Sequence, residues 1–241
     1  MPDPGPYRRV LVKISGESLC APGAGGLDGE AIATVVGELA AALAAGAQIG
    51  LVVGGGNFLR GKTLAQARLL PRPTADAMGM LATVMNALAL GEALNAAGVP
   101  ARVLSAVPTP GFCEPYTRAR AITHLDKGRL VLLAGGTGSP FFTTDTCAAL
   151  RAAELGAEVL MKATKVGGVY EADPVTHPAA RKFDRLTYGE VLARQLGVMD
   201  LAAISLCMEA RIPVLVFRLA DKGALAAAVH GERVGTVISA E

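Results

Sequence analysis

The stretch Leu51-Val52-Val53-Gly54-Gly55-Gly56-Asn57, with Arg60 just beyond it, is where the fold of this chain can first be argued. Three apolar residues are typical of the end of a buried strand. Three glycines in a row cost backbone entropy on folding. After a strand, the usual reason for them is a ligand that approaches the main chain, often an anion bound by backbone N–H groups. Asn57 is suited to cap a following helix. A flexible turn would also explain the glycines, but two further sites of this kind favour a binding function.

Length and composition indicate a soluble α/β protein. The chain has 241 residues, of which 51% are hydrophobic and 18% are charged, and it contains 29 glycines. This is enough chain for a sizeable core, and the glycine content suits many tight turns between strands and helices. The formal net charge is +2, without any block of like charges. Such a balance argues against a surface that coats a polyanion, so no nucleic-acid partner is expected.

Cysteine and histidine are too scattered to indicate a disulfide framework or a metal centre. We expect reduced thiols in a cytoplasmic protein. The amino terminus lacks the charged-then-apolar pattern of a signal peptide. The uncharged apolar run between Asp76 and Glu92 is short for a bilayer and is interrupted by Asn86, so no membrane partner is expected. The scattered residues are Cys20, Cys113, Cys147, Cys207, His124, His177 and His230.

Apolar periodicity predicts strands and helices in alternation, without a linker or a repeat. We therefore expect one α/β domain in which two lobes surround a shared crevice. The longest helix is expected from Thr74, as its N-cap, to Ala97, and its apolar face suits the core and a subunit interface. Asp76 in its first turn either complements the helix dipole or accepts a hydrogen bond from a ribose hydroxyl. The predicted strands cover residues 10–14, 48–53, 102–104, 129–133, 159–162, 214–217 and 235–239; the predicted helices cover residues 30–45, 74–97, 117–127, 144–155, 187–195, 199–210 and 223–230, and residues 163–174 are expected to form an irregular loop.

A formal phosphate-loop motif overlaps the first glycine run. The residues from Gly56 to Thr63 match G-x-x-x-x-G-K-[ST] after a strand. The motif would assign Lys62 to the outer phosphates of a nucleotide and Thr63 to Mg²⁺. Enzymes of that class also use an aspartate for Mg²⁺, and no later apolar strand ends in one. The strand at 131–133 instead runs into glycines, so this interpretation is disfavoured.

Charged and glycine-rich residues also follow other predicted strands. Lys13 stands near the end of the first strand, and Lys162 ends a later one. A lysine in a buried strand is costly unless it meets an anion or a carboxylate, although an edge lysine that reaches solvent would also explain Lys13. The stretch from Gly135 to Asp145 is a second glycine site, in which Thr143 or Thr144 would cap a helix and help to bind an anion. Because strand carboxyl ends line the crevice of such sheets, these sites are expected to meet.

Glycine sites and cations around one crevice, without a Ser-His-Asp set, suit two phosphate-bearing ligands. Phosphoryl transfer relies mainly on positioning and charge neutralisation. If the acceptor is itself a phosphate, its oxygen is already ionised near neutral pH and no general base is needed. We expect Lys13, Arg60 and Lys162 to be the catalytic cations, alongside Mg²⁺ bound mainly through the ATP phosphates.

The chain contains six motifs, at residues 13–17, 53–57, 78–83, 136–145, 162–166 and 198–202. Together they resemble the bacterial uridylate kinases, the hexameric UMP kinases of the amino-acid-kinase superfamily. The similarity spans nearly the whole chain, and the combination is specific although each motif alone is modest. It implies a three-layer αβα sandwich with a largely parallel central sheet over residues 1–241, with an acceptor-binding amino-terminal lobe and an ATP-binding carboxyl-terminal lobe. It also implies that ATP and UMP are converted to ADP and UDP in pyrimidine nucleotide synthesis.

The resemblance further implies roles for individual residues. ATP would contact Lys13, Ile14, Ser15, Gly16, Gly56, Arg60, Thr164, Tyr170 and Asp173. UMP would contact Gly55, Asp76, Thr137, Gly138, Ser139, Pro140, Phe141, Phe142, Thr143 and Thr144. Asp200 is similar to a residue of the active-site charge network in relatives.

Members of this family are typically activated by GTP and inhibited by UTP, which binds at the UMP site. Arg102 and Arg129 match basic residues of the GTP site in regulated relatives. Gly91 stands where those relatives carry arginine, so the chain departs from the pattern of the effector site and not from that of the catalytic site. The stretch from Leu69 to Pro73, near the expected UMP site, also departs from relatives in length and content.

Two other functions remain open at this point. A kinase of small carboxylates or carbamate would share the fold and the ATP lobe, and it would phosphorylate an acyl acceptor without any response to UMP. A non-catalytic nucleotide or oxyanion-binding protein would bind its ligand without forming UDP. Measuring ADP release with each nucleoside monophosphate distinguishes the three functions.

Overall fold

The computed structural model describes residues 6–59 and 70–241, and in these ranges strands and helices alternate as the periodicity predicts. The strands are β1 (Arg9–Ile14), β2 (Gln48–Val53), β3 (Ala101–Ser105), β4 (Glu114–Pro115), β5 (Leu130–Ala134), β6 (Val159–Thr164), β7 (Val169–Tyr170), β8 (Lys182–Phe183), β9 (Arg185–Thr187), β10 (Val214–Arg218) and β11 (Thr236–Ser239). The helices are α1 (Gly29–Ala44), α2 (Arg72–Ala96), α3 (Arg118–Asp126), α4 (Thr144–Leu155), α5 (Tyr188–Ala193), α6 (Leu201–Glu209) and α7 (Ala224–Val229), and Gly16–Leu19 forms a short 3-10 helix.

Nine of the described strands form one sheet, in the order β4-β3-β5-β2-β1-β6-β10-β11-β9. Neighbouring strands in it are parallel except for β10 and β11. Parallel neighbours place their carboxyl ends at the same edge of a sheet. Lys13 on β1 and Lys162 on β6 are therefore direct neighbours in register near that edge. The predicted α/β class with a largely parallel sheet is confirmed.

Helices cover both faces of the sheet, so the molecule has the three layers that the family resemblance implies. One apolar cluster includes Val12 and Met161 and contains buried residues of α1, α2 and α7. The other includes Leu11 and Leu160 and contains buried residues of α3, α4, α5 and α6. Because side chains alternate between the faces along a strand, the lysines that follow Val12 and Met161 point to the second face, where α4 lies.

The long helix α2 begins earlier than predicted. Pro71 precedes its first turn, no side chain caps it, and Thr74 lies inside the helix, so the prediction of Thr74 as N-cap is wrong. Pro73 in the first turn explains the early start, because proline needs no hydrogen-bonding partner for its nitrogen there. By length and composition alone α2 could cross a membrane, so the prediction that this segment is too short for a bilayer is wrong. Its packing against β3, β5 and α1 is that of a core helix in a soluble protein.

The segment after β6 is more regular than the predicted loop. Strands β7 and β8 pair as an antiparallel hairpin outside the main sheet. Strand β9 joins the edge of the main sheet beside β11. These strands contain only two or three residues each. An alternating pattern needs about four residues to be recognised, which is why the sequence does not predict them.

Candidate active site

Two lysines and an aspartate form a buried charge cluster at the carboxyl edge of the sheet. Asp145, in the first turn of α4, places Oδ1 2.8 Å from Lys13 Nζ and Oδ2 2.7 Å from Lys162 Nζ. Each of the three side chains is at most 14% exposed. Lys13 therefore meets a carboxylate, as its position in a buried strand requires, and is not an edge lysine that extends into solvent.

The cluster changes the pKa values of its members. Burial by itself would raise the pKa of Asp145, but the charges and hydrogen bonds of Lys13 and Lys162 outweigh burial, and the pKa is lowered. Burial lowers the pKa of Lys162, and the charge of Lys13 acts in the same direction against the opposite effect of Asp145. Asp145 is therefore ionised near neutral pH, and its charge compensates part of the charge of the two lysines.

The start of α4 is tied to the start of α6. Thr143 caps α4 by accepting hydrogen bonds from two backbone N–H groups of the first turn. Of the two predicted caps, Thr143 and Thr144, it is therefore Thr143 that serves. Asp200 is the N-cap of α6, and it accepts hydrogen bonds from the hydroxyl groups of Thr143 and Thr146. Lys162 Nζ donates to the carbonyl oxygen of Val198, just before this cap. Asp200 thus contacts residues next to the charge cluster and not the lysines themselves.

The first glycine run serves the packing of α2 as well as any ligand. A Cβ on Gly55 would lie 2.8 Å from the carbonyl oxygen of Gly79 and 2.9 Å from the Cβ of Ala82. Such distances are too short for real atoms, so the approach of α2 requires glycine at this position. A Cβ on Gly56 would meet no atom of the described residues within 4 Å, which leaves the main chain there open to a ligand on that side. The explanation of the run by ligand binding alone is therefore incomplete.

A buried pair of amides connects this run to α2. Asn57 Nδ2 donates to Asn86 Oδ1 at 3.0 Å, and Asn86 Nδ2 donates to Asn57 Oδ1 at 2.7 Å. Asn86 also donates to the carbonyl oxygen of Gly54 at 2.6 Å. The described contacts of Asn57 thus fix the glycine run to α2, while the helix that Asn57 was expected to cap would fall outside the described residues.

The loop after β5 is the second predicted glycine site. Gly135, Gly136 and Gly138 have φ angles of 76°, 58° and 80°, a region that residues with a Cβ enter only with strain. The N–H group of Gly135 donates to Thr83 Oγ1 on α2 at 2.9 Å. Both glycine sites are therefore bonded to the same helix, which brings them to opposite sides of one space.

A cavity of about 210 Å³ occupies the space between the second glycine site and the first turns of α2. We call it the acceptor cavity, because most of the residues that the resemblance assigns to UMP line it. These residues are Gly55, Asp76, Thr137, Ser139, Phe142, Thr143 and Thr144. Gly138, Pro140 and Phe141 belong to the same loop, but the cavity wall does not include them.

A second cavity, of about 460 Å³, lies beyond β6, between the hairpin region and the segment that connects α5 to α6. Thr164, Tyr170 and Asp173, which the resemblance assigns to ATP, line it. The charge cluster adjoins both cavities. Lys162 contacts Val198, a wall of the second cavity, and Asp145 directly follows Thr143 and Thr144, which are walls of the acceptor cavity.

The other residues assigned to ATP lie at the end of β1. Gly54 N donates to the carbonyl oxygen of Ile14 at 3.0 Å. A Cβ on Gly16 would lie 2.5 Å from the carbonyl oxygen of Gly54, so only glycine allows these loops to touch. Ser15 caps the short 3-10 helix that follows. The structure therefore brings the residues after Lys13 into contact with the first glycine run.

The two arginines assigned to an effector lie elsewhere. Arg102 and Arg129 stand near the amino ends of β3 and β5, away from the crevice. Arg102 pairs in register with Val131, so Arg129, two residues earlier on the neighbouring strand, faces the same side of the sheet. Arg129 Nη1 lies 3.0 Å from His124 Nδ1.

Sequence reasoning missed the role of one central residue, Asp145, which it included only as the end of the second glycine site. A signal was present: two lysines at the ends of buried strands need a carboxylate, and Asp145 is the acid that follows the second glycine site. Arg60, Lys62 and Thr63 lie outside the described residues, so the role of Arg60 remains a prediction. Within residues 6–59 and 70–241, no group of three or more His, Cys, Asp or Glu side chains could hold a metal ion.

Known proteins share the sequence pattern and the fold of this chain. The model of the amino acid kinase family matches residues 8–218. A uridylate kinase of Azorhizobium caulinodans is 54% identical over 234 residues, which are 97% of this chain and 98% of that protein. A uridylate kinase of Legionella pneumophila is 51% identical and covers 97% of this chain and 94% of its own length. The crystal structure of UMP kinase from Bacillus anthracis has a TM-score of 0.94 and 34% sequence identity, and the match covers 98% of this chain and 97% of that chain.

Proposed function

The chain belongs to the amino acid kinase family and, within it, to the uridylate kinases, and we propose that it carries out their reaction in the crevice at the carboxyl edge of its sheet. ATP donates its terminal phosphoryl group to UMP, which gives ADP and UDP, a step of pyrimidine nucleotide biosynthesis. The observation that supports this location is the cluster of Lys13, Asp145 and Lys162, which adjoins both cavities.

UMP would occupy the acceptor cavity, and the adenosine of ATP the cavity beside Tyr170. The acceptor cavity is built mainly from residues 55–83 of the amino-terminal half, together with residues 136–144 of the loop after β5. The second cavity is built from the carboxyl-terminal half, beyond β6. This division supports one domain with an acceptor-binding amino-terminal lobe and an ATP-binding carboxyl-terminal lobe.

The chemistry requires little covalent work from the protein. An oxygen of the UMP phosphate attacks the terminal phosphorus of ATP, the bond from that phosphorus to the bridging oxygen breaks, and ADP leaves with the electrons of that bond. The attacking oxygen is already ionised, so no general base is needed. Lys13 and Lys162 neutralise the charge on the transferred group, Asp145 keeps both ammonium groups in place, and Arg60 is proposed as a further cation.

Mg²⁺ would arrive with ATP and be held mainly by its phosphates. Both oxygens of Asp145 lie against lysine ammonium groups. The carboxylate of Asp200 accepts hydrogen bonds from Thr143, Thr146 and the N–H group of Ala203. These carboxylates are therefore engaged already, which fits an ion held by phosphate oxygens and water. When bound, Mg²⁺ screens the negative charge of the phosphates.

The family resemblance supports three further proposals: a hexamer, a cytoplasmic location, and control by nucleotides, with UTP as inhibitor at the UMP site. Among these proposals, activation by GTP has the weakest support, because the chain departs from regulated relatives at one residue of the GTP site. Gly91 of α2 packs so closely on β3 that a Cβ would lie 2.9 Å from Val103 Cγ2. The arginine that regulated relatives carry there would not fit this packing, so we expect GTP to activate weakly through Arg102 and Arg129.

A coupled assay of ADP release with each nucleoside monophosphate tests the proposed function. We expect UMP to stimulate ADP release and UDP to accumulate in equal amount. ADP release that depends on a small carboxylate or carbamate and not on UMP would contradict the proposal, and ligand binding without UDP would indicate a non-catalytic protein.

Arg60 can be tested in the same assay. We expect Arg60→Ala to lower turnover at least about a hundredfold, the typical cost of losing a charge contact in the transition state. Unchanged turnover would remove Arg60 from the mechanism.

A further inference from the structure

The first turn of α2 carries an ion pair at the acceptor cavity that the mechanism above does not use. Arg72 Nε lies 2.9 Å from Oδ1 and 2.8 Å from Oδ2 of Asp76, one helical turn later. Both residues line the acceptor cavity. The side chain of Asp76 is only 14% exposed, whereas that of Arg72 is 41% exposed. The arginine therefore covers the carboxylate from the solvent side.

Asp76 also binds the loop after β5, other residues of which form the opposite wall of the cavity. The N–H group of Phe141 donates to Asp76 Oδ2 at 2.8 Å. Phe141 has a φ of 72°, a conformation that a residue with a Cβ keeps only where its surroundings enforce it. The guanidinium carbon of Arg72 lies 5.6 Å from the centre of the Phe141 ring, within the range of a cation–π contact. The strained turn is thus fixed from two sides by the first turn of α2.

We propose that Arg72 is a positioning residue for the acceptor nucleotide. Its guanidinium fixes the Asp76 carboxylate and, through the bond from Phe141, the turn at residues 140–142. A carboxylate held in this way accepts a hydrogen bond from a ribose hydroxyl of UMP without first losing side-chain freedom. The inference rests on the proposed function, since it takes the cavity to be the acceptor site.

A merely structural helix pair would behave differently. Pairs of opposite charge one turn apart stabilise many helices without any role in binding. Loss of such a pair would lower stability and affect UMP and ATP alike. Loss of a positioning residue would raise KM for UMP and leave KM for ATP unchanged, because the ATP cavity lies on the other side of the charge cluster.

Two variants of the full chain, Arg72→Met and Arg72→Lys, test the proposal through kcat and KM for both substrates. In Arg72→Met we expect KM for UMP to rise about tenfold or more, the usual effect of a lost hydrogen bond to a charged group. KM for ATP should stay within about twofold of the wild type, since no described contact of Arg72 reaches the second cavity. Arg72→Lys should recover part of the loss, because an ammonium group restores the charge but not the flat guanidinium.

A double-variant cycle shows whether Arg72 acts through Asp76. In the Asp76→Asn background, Arg72→Met should change KM for UMP by less than about twofold, since coupled residues are not additive. Full additivity, or an equal rise of KM for UMP and ATP, would overturn the proposal. Should Arg72→Met not fold, Arg72→Lys alone decides: KM for UMP unchanged from the wild type would overturn it, and a selective rise would support it.

Arg8→Met is the matched control. Arg8 is 91% exposed and pairs with Glu158 at the opposite edge of the sheet, so its loss should leave both KM values unchanged. The response of the wild type to UMP distinguishes an error in the role of Arg72 from an error in the proposed function. If the wild type responds to UMP and Arg72→Met has the same KM for UMP, only the role of Arg72 is wrong. If the wild type does not respond to UMP, the proposed function is wrong and the role of Arg72 with it.

Discussion

Loss of Asp145 should disturb both the stability of the fold and the reaction. It is the shared counter-charge of two buried lysines. Removing one partner of a buried ion pair typically costs about 3–5 kcal/mol. We expect Asp145→Asn to lower the free energy of unfolding in urea by roughly this amount and to reduce turnover, because the ammonium groups repel each other once the carboxylate is gone.

An exposed ion pair provides the control for this variant. Asp221 lies 3.8 Å from Arg218 Nε and its side chain is 61% exposed. Asp221→Asn should change the free energy of unfolding by less than about 1 kcal/mol, as exposed pairs usually do. Equal free energies of unfolding for the two variants would mean that the buried cluster contributes no more to stability than an exposed ion pair.

The same residue sets a pH dependence. The lysines hold the pKa of folded Asp145 below its ordinary value, and in the unfolded chain that value is about 3.9. The stability that Asp145 contributes is therefore present above about pH 4 and is lost as the pH falls through the lower folded pKa. The free energy of unfolding of the wild type, measured against pH, should decline below about pH 4 more steeply than that of Asp145→Asn. Parallel curves would show that the lysines do not stabilise the carboxylate.

At the level of loops and helices, adjacent glycines of one run have different tasks. A Cβ on Gly55 would meet the backbone of α2 at 2.8 Å, whereas a Cβ on Gly56 would meet no atom within 4 Å in the part of the chain that the structure describes. Overpacking typically costs about 1–3 kcal/mol, so we expect Gly55→Ala to lower the free energy of unfolding by that order. Gly56→Ala should leave stability within about 0.5 kcal/mol of the wild type. The reverse order in urea unfolding would contradict the packing argument.

The strands and the charged residues at their ends could be predicted because they follow local patterns. Lys13 and Lys162 interrupt apolar strands, and Thr143 has both the residue type and the position of a helix cap. The partner of the lysines could not be predicted in the same way, because Asp145 reaches them only when α4 packs across β1 and β6. Gly55 presents the same difficulty. Its contact with α2 joins distant segments, and no local pattern distinguishes it from a glycine that contacts a ligand.

Local proline residues and contacts between distant segments together explain which helices and strands were predicted wrongly. Thr74 has the residue type of an N-cap, yet Pro71 and the proline after Arg72 let the helix begin earlier. Strands β7, β8 and β9 are too short to carry a pattern, and they exist because neighbouring backbone offers them partners. Phe141 is the clearest case, since nothing about phenylalanine predicts a positive φ, and its contacts with Asp76 and Arg72 on a distant helix explain it.

At the scale of the whole molecule, the parallel sheet places the groups that bind two anions at one edge. The carboxyl ends of β1, β2, β5 and β6 lie side by side, so two glycine sites and two lysines meet without any long excursion of the chain. Helix α2 bonds to both glycine sites and turns its other face outward. That outer face exposes Leu81 by 51% and Met85 by 49%, side chains one turn apart on a helix whose inner face is core.

The exposed face of α2 is where the proposed hexamer can be tested. Burying Leu81 and Met85 against another copy would stabilise an assembly, since each large apolar side chain contributes about 1.5–3 kcal/mol when fully buried. We expect Leu81→Glu and Met85→Glu to shift the mass in solution from a hexamer towards smaller species. Met208→Glu, on α6 at the opposite face of the sheet and 44% exposed, should leave the mass unchanged. Because α2 also lines the acceptor cavity, dissociation should raise KM for UMP more than KM for ATP. If the wild type is a monomer, the proposed interface is wrong. If the wild type and all three variants are hexamers of equal mass, the subunits contact each other through another surface.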